Sequence, residues 1–237
     1  MEILTKLSNM KTIIPSKYEF FSKIFPTYIA CLPLLLLFKS VSEYAKFLDE
    51  LNNMGVVFFN VTIYLVISYF FVSVVRGFGK FLETNFFDSE KSFPTTNFLL
   101  YQNDEFSKRY KESIRNKIST DFGIQLLSET DEANDVNEAK NTIKDVVGLI
   151  RNKVGKGKLL LNYNIQYGFI RNLIGGSILG FIFSGINLIV LDNTSILYKI
   201  TLWLMAFYIL LTVAYKPILR FFSKLYAQRL YSEFLSL

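Results

Sequence analysis

Arg151, Lys153, Lys156 and Lys158 crowd the stretch "RNKVGKGK" around a glycine-broken helix end. Cations gathered at a helix end can meet the anionic headgroups of a bilayer surface. The same charges could instead hold a phosphate-bearing ligand or an oligonucleotide. The "GKGK" inside the stretch falls short of a phosphate-cradling loop. The preceding glycine, Gly148, fails the required spacing and lies too close to the helix middle, and no Ser or Thr follows the lysine. "DFG" at 121–123 is a kinase tripeptide with no kinase catalytic loop anywhere in the chain. Asp131 and Glu132 read as first-turn helix acids rather than an acid–base pair.

Other chemistry is excluded by composition. The chain has no histidine, which removes imidazole general bases, Ser-His triads and most zinc sites. Its single cysteine, Cys31, lies in an apolar run, so there is no disulfide framework. Lys108, Arg109, Lys111, Arg115 and Lys117 form a second cationic group, spread around a helix without the aromatic interleaving that base stacking uses. The sequence reads as a non-enzyme, with no catalytic residue, no metal site and no cofactor.

The elements that must carry these residues are apolar. Of 237 residues 51% are hydrophobic, 24 are Phe, and charged residues make up 19%, below the roughly 25% of a soluble domain. The net charge is +6. Apolar and basic together point to a membrane protein, with cations collected on cytoplasmic flanks. Uncharged runs at Gly55–Val75 and Leu173–Leu191 are long enough to span a bilayer as helices. Ile200–Tyr215 reaches that length with Tyr198 and the Lys199 stem. Phe25–Phe38 is the weakest span, because Pro33 would kink its middle; a re-entrant or interfacial segment is its alternative. Cations flank the runs at Lys6, Lys11, Lys17 and Lys23, at Arg76 and Lys80, at Arg171, and at Lys216, Arg220, Lys224 and Arg229. This pattern places both termini and the middle segment in the cytoplasm.

The expected fold is an all-α integral membrane protein: four transmembrane helices in two hairpins, with a helical cytosolic domain inserted between them. The expected divisions are a cytosolic N-terminal segment 1–24, a hairpin 25–76, a cytosolic domain 77–170, a hairpin 171–216 and a cytosolic C-terminal helix 217–237.

Two faces stand out within the spans. Gly176, Gly180 and Ser184 recur every fourth residue, and small residues let a neighbouring backbone come close in lipid. That neighbour is another helix of the same chain, or a second subunit, or the face lines a pore. Asn60, Tyr64 and Ser68 repeat in the same way, and Asn187 could extend such a polar path. Polar groups are expensive against lipid and belong against another helix or water; these four are candidate pore-lining residues.

The middle segment reads as a helical bundle. Thr96 is expected to cap a short helix carrying Phe98 to Tyr101. Asp104–Phe122, capped by Asn103 and stopped by Gly123, carries an apolar residue at every fourth position from Phe106. A second helix is expected over about Asp131–Val154, stopped by Gly155.

The stretches "NYNIQYGFIRNLIGG" and "FPTTNFLL", with a helical insert between two hairpins, resemble small integral-membrane effector subunits of bacterial antiphage defence systems, of the Hailong and Kiwa types. The resemblance implies a bacterial inner-membrane homo-oligomer, a tetramer, in which a cytosolic regulatory protein or nucleotide signal gates an ion channel or pore. A non-conducting anchor for a soluble partner and a small transporter are the alternatives.

Overall fold

The computed structural model describes residues 15–40, 57–89, 93–155 and 157–237; the side chains of 38–40, 57–63, 88–89 and 158 fall outside that description. Every regular element among the described residues is helical. Helix α1 is a continuous run of Lys17–Glu19, a π-helical Phe20–Ile24 and Phe25–Ser40. It is followed by α2 (Val57–Ser89), α3 (Pro94–Asn97), α4 (Lys108–Phe122), α5 (Glu129–Asn134), α6 (Val136–Val154), α7 (Lys158–Val190), α8 (Ile196–Val213) and α9 (Tyr215–Ser236).

Four segments are long and apolar enough to cross a bilayer: Lys17–Leu37, Tyr64–Phe87, Leu159–Val190 and Ile196–Val213. The fourth starts earlier than the sequence suggests, because the Ser195 hydroxyl caps it by accepting the Tyr198 N–H at 3.1 Å. Pro33 stays inside α1.

The chain divides into two compact units, Met1–Leu82 with Gly168–Tyr215, and Glu83–Tyr167 with Lys216–Leu237. In the first unit α7 is the central helix. It packs on α1 through Asn172 and Gly176, on α2 through Gly175 and Phe183, and on α8 through Ser177 and Gly180. Ser177 meets Thr212, and Gly180 meets Tyr208, so α7 and α8 run antiparallel.

The second unit is built around one apolar cluster. Ile114 and Ile118 of α4, Ile143, Val147 and Ile150 of α6, and Phe98–Leu100 meet Leu230, Tyr231 and Phe234 of α9. The C-terminal helix is therefore part of the same body as the middle segment rather than a separate appendage. Helix α4 begins at Lys108, later than the sequence reading placed it. Ser107 is the cap, accepting the Tyr110 N–H, while Asn103 accepts from Glu105 within the preceding turn. Gly123 and Gly155 end α4 and α6 at positive φ, 68° and 65°, as the sequence reading expects. The helix expected over 131–154 is two. Asp135 breaks it and caps α6 by accepting the Glu138 N–H at 3.0 Å. The short helix near Pro94 begins before Thr96, with Phe93 at its cap position, and Phe98 already lies beyond it.

Candidate functional site

The glycine face of α7 is filled by the protein's own helices. A Cβ on Gly175 would lie 2.5 Å from the Val75 carbonyl oxygen of α2. One on Gly176 would lie 2.7 Å from Ala30 of α1, and one on Gly180 would lie 2.6 Å from the Tyr208 ring of α8. Three glycines thus admit three different neighbours, as close packing in an apolar solvent requires. Ser184, the third member of the expected small-residue face, is fully buried. Of the readings the sequence leaves open, contact within the chain accounts for Gly176 and Gly180.

The same helices repair a defect in α1. Proline has no N–H, so Pro26 and Pro33 offer no helical donor to the carbonyls of Ser22 and Ile29, four residues back. Asn172 Nδ2 of α7 donates to the Ser22 carbonyl at 2.5 Å, and the Tyr208 hydroxyl of α8 donates to the Ile29 carbonyl at 2.6 Å. The π-helical turn lies just before Pro26, with the Phe25 N–H reaching the Phe20 carbonyl, which is the wider register a helix adopts around such a disruption. A polar backbone group left unpaired in hydrocarbon costs several kcal/mol, so these two side chains are what let a helix with two prolines remain a candidate span.

The expected polar face is divided. Asn187 is fully buried, and its Nδ2 donates to the Pro33 carbonyl at 2.6 Å. It lies inside the first unit. Tyr64 is 51% exposed, and Ser68 is partly exposed on α2. The side chain of Asn60 lies outside the described residues. Helix α2 is the least enclosed of the four candidate spans, with 11% of its apolar window buried, against 44% for α7.

The basic helix end is also divided. Residues two apart on a helix point to opposite sides. Arg151 lies over the Tyr226 ring, 5.6 Å from its centre. Lys153 pairs with Asp121 at 2.9 Å. Lys156 and the side chain of Lys158 lie outside the described residues. The start of α7, where free N–H groups attract an anion, already holds one. Glu233 of α9 accepts the Leu160 N–H at 2.9 Å and pairs with Arg229 at 2.8 Å. A side chain at Gly157 would collide with that carboxylate.

Two members of the second cationic group, Lys111 and Arg115, are buried. Lys111 donates to the carbonyls of Leu100, Tyr101 and Asn103, which match its three N–H donors. Burial lowers its pKa below the usual lysine value. Arg115 donates to the Leu99 carbonyl at 2.8 Å, to the Leu127 carbonyl at 2.7 Å and to the Glu132 carboxylate at 2.8 Å. Glu132 also accepts the Tyr101 N–H. Together they clamp the loop after α3. Only their four-residue spacing on the buried side of α4, shared with Ile114 and Ile118, could have signalled this. Glu83, near the end of the α2 window, is also buried and accepts from the Tyr167 hydroxyl within the second unit. Among the described residues no group of three His, Cys, Asp or Glu could hold a metal. No protein-family model, curated protein or solved structure matches the chain.

Proposed function

We propose that the protein is an oligomeric membrane effector, a gated ion channel or pore, whose second unit receives the controlling signal. The four apolar helices then form two membrane hairpins, with both termini and the second unit on the cytoplasmic side, the arrangement the cationic flanks favour. The observation that carries the reading is the outer face of α2. Tyr64 is exposed there, with Leu65, Val66 and Tyr69 around the same turns more exposed still and Ser68 partly exposed. Polar groups on the outside of an apolar helix are poor partners for lipid, and a second copy or a water path satisfies them. The setting in bacterial antiphage defence rests on the layout resemblance alone.

The test is ion flux through purified protein in liposomes, with particle size recorded alongside. A defined oligomer that passes ions, and loses that flux on Tyr64→Leu with Ser68→Leu, supports the reading. A monomer, or an oligomer silent under every nucleotide and partner offered, overturns it. Phe221, 58% exposed on the second unit, favours a second reading, a non-conducting anchor that docks a soluble partner there.

A further inference from the structure

Three polar groups in the first unit are buried and unpaired among the described residues: Ser184 Oγ, Asn187 Oδ1 and Thr201 Oγ1. All three residues have zero exposure. Equal steps along α7 and α8, starting from the Gly180–Tyr208 contact, arrive at Asn187 and Thr201, so the antiparallel register puts these two at the same level. Ser184 lies on the same side of α7, about one turn away. The Asn187 amide turns its nitrogen to the Pro33 carbonyl, which places this level against α1.

The rotamers add a second clue. A hydroxyl in an apolar helix usually satisfies itself by bonding a carbonyl one turn back. Thr27, Ser73, Ser177 and Thr212 all do so in this unit. Ser184 and Thr201 do not. Their hydroxyls forgo a bond that was within reach.

We propose that Ser184, Asn187 and Thr201 hold a bound water between α7, α8 and α1. A buried water makes about three hydrogen bonds to groups otherwise unsatisfied, which matches the two hydroxyls and one amide oxygen here. A hard divalent cation is the poorer occupant, since it takes about six or more oxygens, and no carboxylate is among the three groups. The opposed ends of α7 and α8 also lie close to this level, so their dipoles largely offset and favour neither charge. Such a water would be held whether or not the protein conducts.

The test uses the full-length protein in detergent micelles. Thr201→Val removes the hydroxyl and keeps the shape. With a bridging water, Thr201→Val lowers Tm by a few degrees, Thr201→Ser restores most of the loss, and Ser184→Ala combined with Thr201→Val is less harmful than the two losses added. An unchanged or raised Tm in Thr201→Val means that the hydroxyl holds no water and overturns the proposal. A Tm that rises in sodium or potassium but not in choline assigns the three groups to an ion and also overturns it. Water-to-protein polarisation transfer in the unmodified protein needs no variant: a water cross-peak at the Asn187 side-chain amide is expected, and its absence rejects the site.

Discussion

The Tyr208 hydroxyl donates to the Ile29 carbonyl across 2.6 Å, and that carbonyl is the one Pro33 leaves without a helical donor. The same ring lies over Gly180. One side chain thus fills the gap that a glycine opens in α7 and completes the backbone of α1. Its hydroxyl reaches α1 because α7 has no side chain at that point. The glycine, the tyrosine and the proline form one device spread over three helices.

Tyr208→Phe keeps the ring over Gly180 and removes only the donor. The buried Ile29 carbonyl is then unsatisfied, and the loss should be about 1–3 kcal/mol. Pro33→Ala restores an N–H at the right place. In the Tyr208→Phe background it should recover most of the loss, read as Tm in detergent. Additive effects of the two changes would show that the hydroxyl and the proline are unrelated.

Gly175 and Gly185 make a matched pair on α7. Alanine gains up to about 1 kcal/mol over glycine in a helix, and a Cβ at Gly185 meets nothing within 4 Å. Gly185→Ala should be neutral or stabilising. At Gly175 the Cβ meets backbone of α2, which has no rotamer to yield, and overpacking costs about 1–3 kcal/mol. Gly175→Ala should therefore lower Tm. Equal melting of the two variants would mean that α2 does not approach this closely.

The four apolar helices and the amphipathic helices of the second unit are legible because periodicity and length act locally. The glycine face was legible as a place of close packing, but periodicity gives a face and not its occupant. Gly175, one residue off the face the spacing picked out, turns out to meet backbone directly. Asn187 resembled a pore-lining group because it is polar on an apolar helix; its partner, the Pro33 carbonyl, lies far away in sequence. The burial of Lys111 and Arg115 was not legible because their acceptors are loop carbonyls, and a carbonyl carries no signal in the residue type. The start of α4 went to Asn103 because Asn and Ser cap equally well, and only the competing bond to Glu105 decides between them.

Arg115 and Glu132 are buried together. Removing one partner of a buried pair strands the other's charge, at about 3–5 kcal/mol. Arg115→Met should abolish cooperative melting of the second unit or lower its Tm sharply. Adding Glu132→Gln should return part of the loss, because the stranded charge is gone. A double variant as poor as the single one would place the value of Arg115 in its carbonyl bonds.

Asp121 carries a pH dependence. The Lys153 ammonium, 2.9 Å from the carboxylate, is the main reason its carboxyl sits below the ordinary 3.8, with the Lys117 charge adding to it. A lowered value in the folded state means that the unfolded chain takes up the proton first as pH falls. The stabilisation is complete above the ordinary value and is lost as pH drops through the folded one. The Tm difference between wild type and Asp121→Asn should be constant near neutrality and should close below pH 3.8. A difference that holds at lower pH would show that the pair with Lys153 contributes nothing through charge.

Glu233 gives the most local prediction. The first N–H groups of a helix have no partner inside it, so the protection of the Leu160 amide in α7 comes from the Glu233 carboxylate of α9. Glu233→Ala should speed hydrogen exchange at Leu160 about 5-fold or more, since a bond worth ~1 kcal/mol changes the open population by about that factor. Amides in the middle of α7 bond within the helix and should keep their rates. Gly157→Ala should reproduce the effect with the carboxylate still present, because the added methyl takes the space the carboxylate occupies. If Leu160 exchanges no faster in either variant, another group protects it, and the hold of the C-terminal helix on the start of α7 must lie in the apolar cluster instead.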